Sequence, residues 1–320
     1  MWRAVMSEKT KIIAVVGPTA SGKTALSIAL AKKYNGEIIS CDSMQIYRGM
    51  DIGTAKPDME ERDGVVHHMF DVADPTDTYS CADYVRDAKQ KILEIVSKGK
   101  LPIICGGTGL YLDSLLRGGN FEVTDTLPEY RAELEKIALT EGNQRVHDML
   151  AEVDPESAES IHPNNLKRVI RALEIYKSCG VPKSVLDKES RKPESEYDAL
   201  VIGLRFTDRE MLYDRINRRV DIMLDMGLEE ETRRLCAEGV FDGNGTATQA
   251  IGYKELLGYI RGEMTLDEAK DELKTASRRY AKRQMTWFSA HSNVNWINVE
   301  AGYSFDNIVK NASDLIDKFI

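Results

Sequence analysis

Five apolar runs punctuate the chain, at 12–16 (IIAVV), 37–41 (EIISC), 101–105 (LPIIC), 199–206 (ALVIGLRF) and 294–299 (VNWINV). They are continuous rather than alternating, the pattern of strands buried on both faces. Helical periodicity fills the stretches between them, and that alternation predicts an α/β fold: a parallel sheet with helices on both faces. The first helix is predicted over 23–34. A second begins at Ser80, where Ser80-x-x-Asp83 has capping-box spacing, and ends near Lys98-Gly99. Thr207-x-x-Glu210 predicts the cap of a long helix reaching 234, a helical stretch at 266–288 precedes the last strand, and a weaker helix over 304–319 closes the chain.

The gap between the third and fourth runs breaks this rhythm. From 106 to 198 it carries helical patterns only, at 128–140, 143–153 and 165–179. A helical segment between two strands of one sheet predicts an insertion domain at 122–196, set into a catalytic core of 1–121 and 197–320. The polar, Pro-containing stretch at 188–196 (KESRKPESE) reads as its exit linker.

Composition narrows the class. The chain has 320 residues, 42% hydrophobic and 30% charged, as ordinary globular proteins do. Five cysteines lie scattered without C-x-x-C pairs, which fits reduced thiols better than disulfides or zinc. No stretch approaches the roughly 20 apolar residues of a membrane span. Only Arg3 precedes acidic and polar positions, so no secretory leader is expected and the expected location is the cytoplasm. A net charge of −9 argues mildly against a nucleic-acid partner, but a local basic face can override the sum. Three such clusters exist: Lys167, Arg168 and Arg171; Arg215, Arg218 and Arg219; and Arg278, Arg279, Lys282 and Arg283 beside Tyr280, Trp287 and Phe288. Each alone fits a solvated face; together, in an acidic chain, they point to a polyanionic partner. Either Arg218 or Arg219 could instead clamp a polyphosphate.

The most specific motif follows the first strand. Gly17-Pro18-Thr19-Ala20-Ser21-Gly22-Lys23-Thr24 is a G-x-x-x-x-G-K-T phosphate-binding loop between strand and helix. Its backbone N–H groups and the helix N-terminus attract an anion, Lys23 adds a charge, and Thr24 offers a hydroxyl to Mg²⁺. Asp42 ends the second strand, where ligands of such sheets bind, so it is a candidate Mg²⁺ ligand or general base; a turn-forming role is the alternative. After the third strand come Gly106-Gly107-Thr108-Gly109 instead of an acid, and no N-K-x-D motif occurs. Both absences speak against a motor ATPase or GTPase, and the glycines are expected to admit an acceptor closely. His67-His68 has too few neighbouring ligands for zinc, and Cys41 reads as a buried strand residue rather than a nucleophile.

Taken in order, GPTASGKT (17–24), DSMQIYRGMDIGTAKP (42–57), HHMFDVADP (67–75), YSCADYVRDA (79–88), GGTGLY (106–111), HPNNLKRVIRALE (162–174), RINRRVDIMLDMGLEEE (215–231), QAIGYKE (249–255) and AKRQMTW (281–287) resemble the tRNA dimethylallyltransferase (tRNA isopentenyltransferase) family over nearly the whole chain. The resemblance implies a P-loop kinase-like core with a helical insertion domain. It implies Mg²⁺-dependent transfer of a dimethylallyl group from dimethylallyl diphosphate to N6 of the adenosine 3′ of the anticodon, position 37. On this resemblance Asp42 receives the N6 proton, Thr108 hydrogen-bonds near that amine, and Lys23, Thr24 and Arg219 stabilise the departing diphosphate on the 17–24 loop. Ser43, Met44 and Gln45 line the pocket of the flipped base. The anticodon stem-loop is gripped by Arg131, Lys167, Arg168 and Arg171 of the insertion, by Gln249, Gly252, Tyr253 and Lys254, and by Arg279, Lys282, Arg283, Gln284 and Trp287. Thr24 and Asp42 are the implied metal residues. Family members often carry Gln where this chain has Lys167, which favours a phosphate contact there over a base-reading amide. A monomer without obligate protein partner is the family expectation. A small-molecule kinase leaves the basic helices unexplained, and a non-catalytic RNA-binding protein leaves Lys23, Thr24 and Asp42 unexplained. An adenylate prenyltransferase is the near variant, against which the basic helices count.

Overall fold

Strand β1 (Thr10–Val16) is central because both of its faces are apolar. Ile12, Ala14 and Val16 enter one hydrophobic cluster, Ile13 and Val15 the opposite one. The computed structural model describes residues 9–117, 127–189, 195–243 and 245–320. After β1 come α1 (Lys23–Lys33), β2 (Gly36–Cys41), β3 (His67–His68), α2 (Cys81–Ser97), β4 (Leu101–Gly106) and α3 (Gly109–Leu116). Helices α4 (Pro128–Glu141), α5 (Asn143–Val153), α6 (Pro155–Ser160), α7 (Leu166–Cys179) and α8 (Lys183–Glu189) follow. The remainder is β5 (Tyr197–Phe206), α9 (Arg209–Asp225), α10 (Leu228–Ala237), α11 (Leu257–Ile260), α12 (Leu266–Ser289), β6 (Val294–Val299) and α13 (Phe305–Phe319).

The six strands pair in the order β3-β2-β4-β1-β5-β6, every neighbour parallel. Helices cover both faces: α2 and α3 pack Tyr84, Ile92, Leu112 and Leu115 on one, α1 and α13 pack Leu26, Leu30, Ile308 and Ile316 on the other. A third cluster joins Val220, Leu228, Leu235, Tyr253 and Leu273 beneath the segment that follows β2. Since β1 is flanked by β4 and β5, the crevice at the carboxyl ends of β1, β2 and β4 is the place where a ligand of such a sheet belongs.

Contact density separates two units, one holding the chain up to Leu116 and from Glu196 onward, the other Arg117–Ser195. The second has its own core of Leu134, Val146, Leu150, Val169, Ile170 and Leu173. The expected boundary at 121–122 falls outside the described residues.

All five expected strands form, and Ser80 caps α2 with a reciprocal capping box. Several details differ from expectation. The long helix from 207 is two helices, broken at Gly227 (φ 98°), a left-handed conformation that glycine adopts without strain. Its cap is Asp208, whose carboxylate accepts the Glu210 N–H at 2.9 Å, rather than Thr207. Part of the expected exit linker is helical, because α8 runs to Glu189, while 190–194 lie outside the described residues. The edge strand β3 pairs His67 and His68 with Ile38 and Ile39; two histidines carry no strand signal of their own.

Glu37 on β2 is buried at 2% exposure yet ringed by hydrogen-bond partners, two of them cations: Lys100 at 2.7 Å, Lys98 at 3.2 Å and the imidazole Nε2 of His68 at 2.7 Å. Burial opposes its ionisation, but the hydrogen bonds from Lys100, His68 and Lys98 prevail and hold its pKa at about 2, against 4.5 for a free glutamate. A depressed pKa contributes stability that is complete above pH 4.5 and disappears as pH falls towards 2. Urea unfolding followed from pH 6 to about pH 3 is expected to show falling stability for the wild type, and a flatter profile with lower stability at pH 6 for Glu37→Gln.

Candidate functional site

The loop leaving β1 turns where only glycine is comfortable. Gly17 has φ 153°, and a Cβ there would lie 3.0 Å from Ser21 Oγ and 3.1 Å from the Leu204 carbonyl. Gly22, at φ 92°, caps α1 in the left-handed region. Ser21 N–H donates to the Pro18 carbonyl at 3.3 Å, and Lys23 Nζ reaches the same oxygen at 3.3 Å. Because α1 begins at Lys23, its first-turn N–H groups have no partner within the helix and face the loop, the geometry of an anion site. Two side chains brace this loop from outside. Arg215 Nε donates to the Ala20 carbonyl at 2.8 Å, and Gln284 Oε1 accepts the Thr19 N–H at 2.9 Å.

The loop opens into a cavity of about 250 Å³. Thr19, Ala20, Lys23 and Thr24 line it from the loop, Asp42, Ser43, Met44 and Gln45 from the end of β2, and Cys105 and Gly106 from β4. Arg219 enters from α9, Ser277, Tyr280, Arg283 and Gln284 from α12, and Gln249, Gly252 and Lys254 from the connection before α11. Ile216, Val220, Met223, Ile251 and Leu273 give it an apolar wall. Polar anion-binding groups thus share one enclosure with room for an apolar group.

Asp42 is oriented by the N–H of Met44, which donates to Oδ1 at 2.9 Å. Ser43 N–H donates to Thr108 Oγ1 at 3.1 Å, and Thr108 N–H to the Cys41 carbonyl at 3.1 Å, so Thr108 stands immediately behind the Asp42-Ser43 peptide. Burial lowers the pKa of Lys23; the charge of Arg219 adds to this and the Asp42 carboxylate opposes it. Burial also lowers Arg219, Arg215 adds to it, and Glu61 and Asp42 oppose. Two cations in one desolvated space are an unfavourable arrangement that a polyanion relieves. Burial pushes the thiols of Cys41 and Cys105 up, as inert cysteines require, and all five cysteines are free. For a divalent cation the cavity offers the Thr24 hydroxyl and the Asp42 carboxylate. Among the described residues no group of three or more His, Cys, Asp or Glu could hold a metal. That sparse oxygen set suits Mg²⁺, which keeps several waters and binds chiefly through substrate phosphates, and not zinc.

Of the two arginines considered for the phosphates, Arg219 lines the cavity and Arg218 is exposed. Lys167 and Arg168 are exposed on α7, as are Arg279 and Lys282 on α12, and Trp287 retains 38% exposure with its Nε1 donating to Asp113 at 3.1 Å. Several expected residues have surroundings that the sequence did not show. Tyr253 is fully buried, its hydroxyl donating to Glu231 at 2.6 Å, so it cannot face RNA. Gln284 is 4% exposed and its amide also donates to the Gly107 carbonyl at 3.1 Å, so it is turned into the cavity wall and not onto an outer face for RNA. Gln45 lines the cavity as expected, with its amide held by the protein, accepting from Ser40 Oγ at 2.9 Å and donating to the carbonyls of Thr54 and Ala55 at 3.1 and 3.2 Å. Arg131 forms a two-pronged pair with the buried Glu174, at 3.0 and 2.6 Å, and Arg171 faces the same carboxylate at 3.6 Å; both brace the interior of their own unit while keeping 35% and 36% of their side chains exposed. Finally, the glycines after β4 make room for protein: a Cβ on Gly106 would lie 2.0 Å from the Cys41 carbonyl oxygen, and one on Gly107 2.0 Å from Gln284 Nε2. The cluster at 278–283 also divides, Arg278 turning to Asn217 at 2.7 Å while Arg283 reaches the cavity.

Sequence reasoning missed Tyr280 and Glu231. Tyr280 lines the cavity with its hydroxyl turned to Thr108, and burial raises its pKa. The signal was the spacing of 277, 280, 281, 284 and 288, the inward stripe of α12. Glu231 accepts the N–H groups of Asp51, Ile52 and Gly53 at 2.9–3.2 Å and fastens that segment beside the cavity; within a run of glutamates nothing in sequence distinguishes it.

Comparison with known proteins agrees with this geometry. The family described as IPP transferase matches residues 45–291. A tRNA dimethylallyltransferase of Acetivibrio thermocellus is 51% identical over 302 residues, spanning 94% of this chain and 95% of its own. The crystal structure of the full-length tRNA isopentenylpyrophosphate transferase of Bacillus halodurans superposes with a TM-score of 0.72 at 46% identity, over 97% of this chain and 96% of that one. A eukaryotic dimethylallyltransferase seen acting on tRNA gives a TM-score of 0.81 at 29% identity, over 97% of this chain and 80% of that one. Identity at this level, sustained over nearly the whole length together with the fold, means that the chain belongs to the IPP transferase family.

Proposed function

We propose that this protein transfers a dimethylallyl group from dimethylallyl diphosphate to N6 of the adenosine 3′-adjacent to the anticodon, position 37, of tRNA, releasing diphosphate. The observation that carries the reading is a phosphate loop and the carboxylate of Asp42 opening onto one cavity with an apolar wall. The diphosphate lies on residues 17–24, where the N–H groups of the loop and of the first turn of α1 meet it. Lys23 and Arg219 neutralise the negative charge that grows on it as the C1–O bond of the donor breaks. Ile216, Val220, Met223 and Leu273 enclose the prenyl group and keep water from the allylic centre. The adenine, turned out of its stack, presents N6 to Asp42. Its lone pair forms the new bond to C1, and Asp42 takes the proton that N6 loses. Thr108, through Ser43, holds the Asp42 backbone in register with the loop. Thr24 and Asp42 would hold Mg²⁺, which when bound supplies further charge compensation to the diphosphate.

In this reading 1–121 and 197–320 form the catalytic core and 122–196 an insertion domain that grips the anticodon stem-loop. The exposed cations Lys167, Arg168, Arg279 and Lys282 contact phosphates, and Trp287 offers a stacking face. Gln249, Gly252, Lys254 and Arg283 border the mouth through which the base enters. The reading places the protein in the cytoplasm, where tRNA is found; among the described residues no helix is long and apolar enough to cross a membrane.

Incubation with labelled dimethylallyl diphosphate, Mg²⁺ and unmodified tRNA tests the reaction. Label in N6-isopentenyladenosine of the RNA is expected; label on free adenylate alone would make the protein an adenylate prenyltransferase. Asp42→Ala is expected to lower kcat by about 10²–10⁴-fold while tRNA still binds in a filter assay, because only the proton acceptor is lost. Near-normal turnover removes Asp42 from that role. tRNA affinity should fall steeply between about 50 and 200 mM salt as counterions are released from the phosphates, and a flat dependence refutes the phosphate contacts.

A further inference from the structure

We propose that Gln284 is a positioning residue for the prenyl-diphosphate site: from α12 it fixes the phosphate loop and the loop carrying Thr108 relative to each other. The assignment rests on the transfer reaction proposed above. It starts from the buried amide, whose Oε1 accepts the Thr19 N–H at 2.9 Å while Nε2 donates to the Gly107 carbonyl at 3.1 Å. One partner is a donor and the other an acceptor, so a primary amide satisfies both at once. A carboxylate would set an oxygen against the Gly107 carbonyl, and an apolar side chain would leave two backbone groups unpaired, one buried and one half-buried.

Thr19 follows β1 and Gly107 follows β4, strands that are neighbours in the sheet. One side chain therefore spans the gap between the loop that holds the diphosphate and the loop that holds Thr108. Thr108 bonds Ser43, next to Asp42. The amide thus sets the distance between the leaving group and the proton acceptor. Gly107 is bare on the side it presents to the amide, where a Cβ would come within 2.0 Å of Nε2. Glycine and glutamine form one fitted contact. On the same helix Arg279 and Lys282 are exposed, so one element carries cations outward and this clamp inward.

The test measures donor and RNA separately. Gln284→Leu is expected to weaken binding of inorganic pyrophosphate by about ten-fold or more in calorimetry, because both hydrogen bonds that hold the loop are lost. The KM for dimethylallyl diphosphate should rise by a similar factor while the KM for tRNA stays within about two-fold. Gly107→Ala, which displaces the amide without removing it, should reproduce the donor defect. The double variant should be no worse than Gln284→Leu, since both changes break one link. Gln284→Glu, nearly isosteric, carries the same test if the leucine variant does not fold. With wild-type transfer intact, unchanged pyrophosphate affinity overturns the assignment. So does a rise confined to the KM for tRNA, which would return Gln284 to the RNA interface. A wild-type protein that neither transfers nor binds pyrophosphate overturns this assignment together with the functional reading.

Discussion

Lys23 rises from the first turn of α1 and Arg219 from α9 into the same enclosed space, where burial works against the charge of both. Asp42 is the acidic side chain that lines this cavity with them. Such a site is held in a state of electrostatic need, because the fold supplies the desolvation and a polyanion supplies the compensation. The backbone serves the same end: Gly17 and Gly22 let the loop curl, and α1 starts where its unsatisfied N–H groups face the loop, as an anion site requires. In the proposed reaction the departing diphosphate is stabilised more as its charge grows, so one arrangement would serve binding and departure together.

Neighbouring elements are built around keeping that geometry. Arg215 holds the loop at Ala20 and Gln284 at Thr19. Glu231 fastens the segment 51–53 through three backbone N–H groups, so the stretch running on from Asp42 is tied to α10. Close backbone approach makes the rest possible. Gly106 rests against the Cys41 carbonyl, which lets Thr108 come within hydrogen-bonding distance of the Asp42-Ser43 peptide. The glycines after β4 are accordingly a packing requirement of the site as much as an opening for its substrate.

The charge distribution resolves an apparent conflict. A chain of net charge −9 is an unpromising RNA binder if the sum alone is considered. The structure separates cations that neutralise protein from those that face outward. Arg131 and Arg171 attend to buried Glu174, Arg278 to Asn217, and Arg215 to the phosphate loop. Lys167, Arg168, Arg279 and Lys282 remain exposed. It is the local field of such groups that meets a polyanion, and the total says little about it.

Strand identity, the phosphate loop, the place of Asp42 and the helical insertion were all legible in the amino-acid order. Each depends on local rules: continuous apolar runs, glycine spacing, and the position of a residue at a strand end. Family resemblance was legible for the same reason, since its motifs are contiguous. What local order could not express was the destination of side chains that act across the fold. Gln284 lies in a basic, aromatic stretch suited to RNA, yet tertiary packing turns it inward to residues 265 and 177 positions away. Tyr253 was read as substrate-facing and is held by the interior instead, Gln45 lines the cavity while its amide is engaged by the protein, and Glu231 carried no local mark of its importance. Sequence by itself determined the main strands and helices and the anion chemistry they bring, while the two-residue edge strand and the break at Gly227 were not read from it. The tertiary structure alone decided which polar side chains face the cavity, because hydrogen-bond partners remote in sequence compete for each one and burial requires that every one be satisfied.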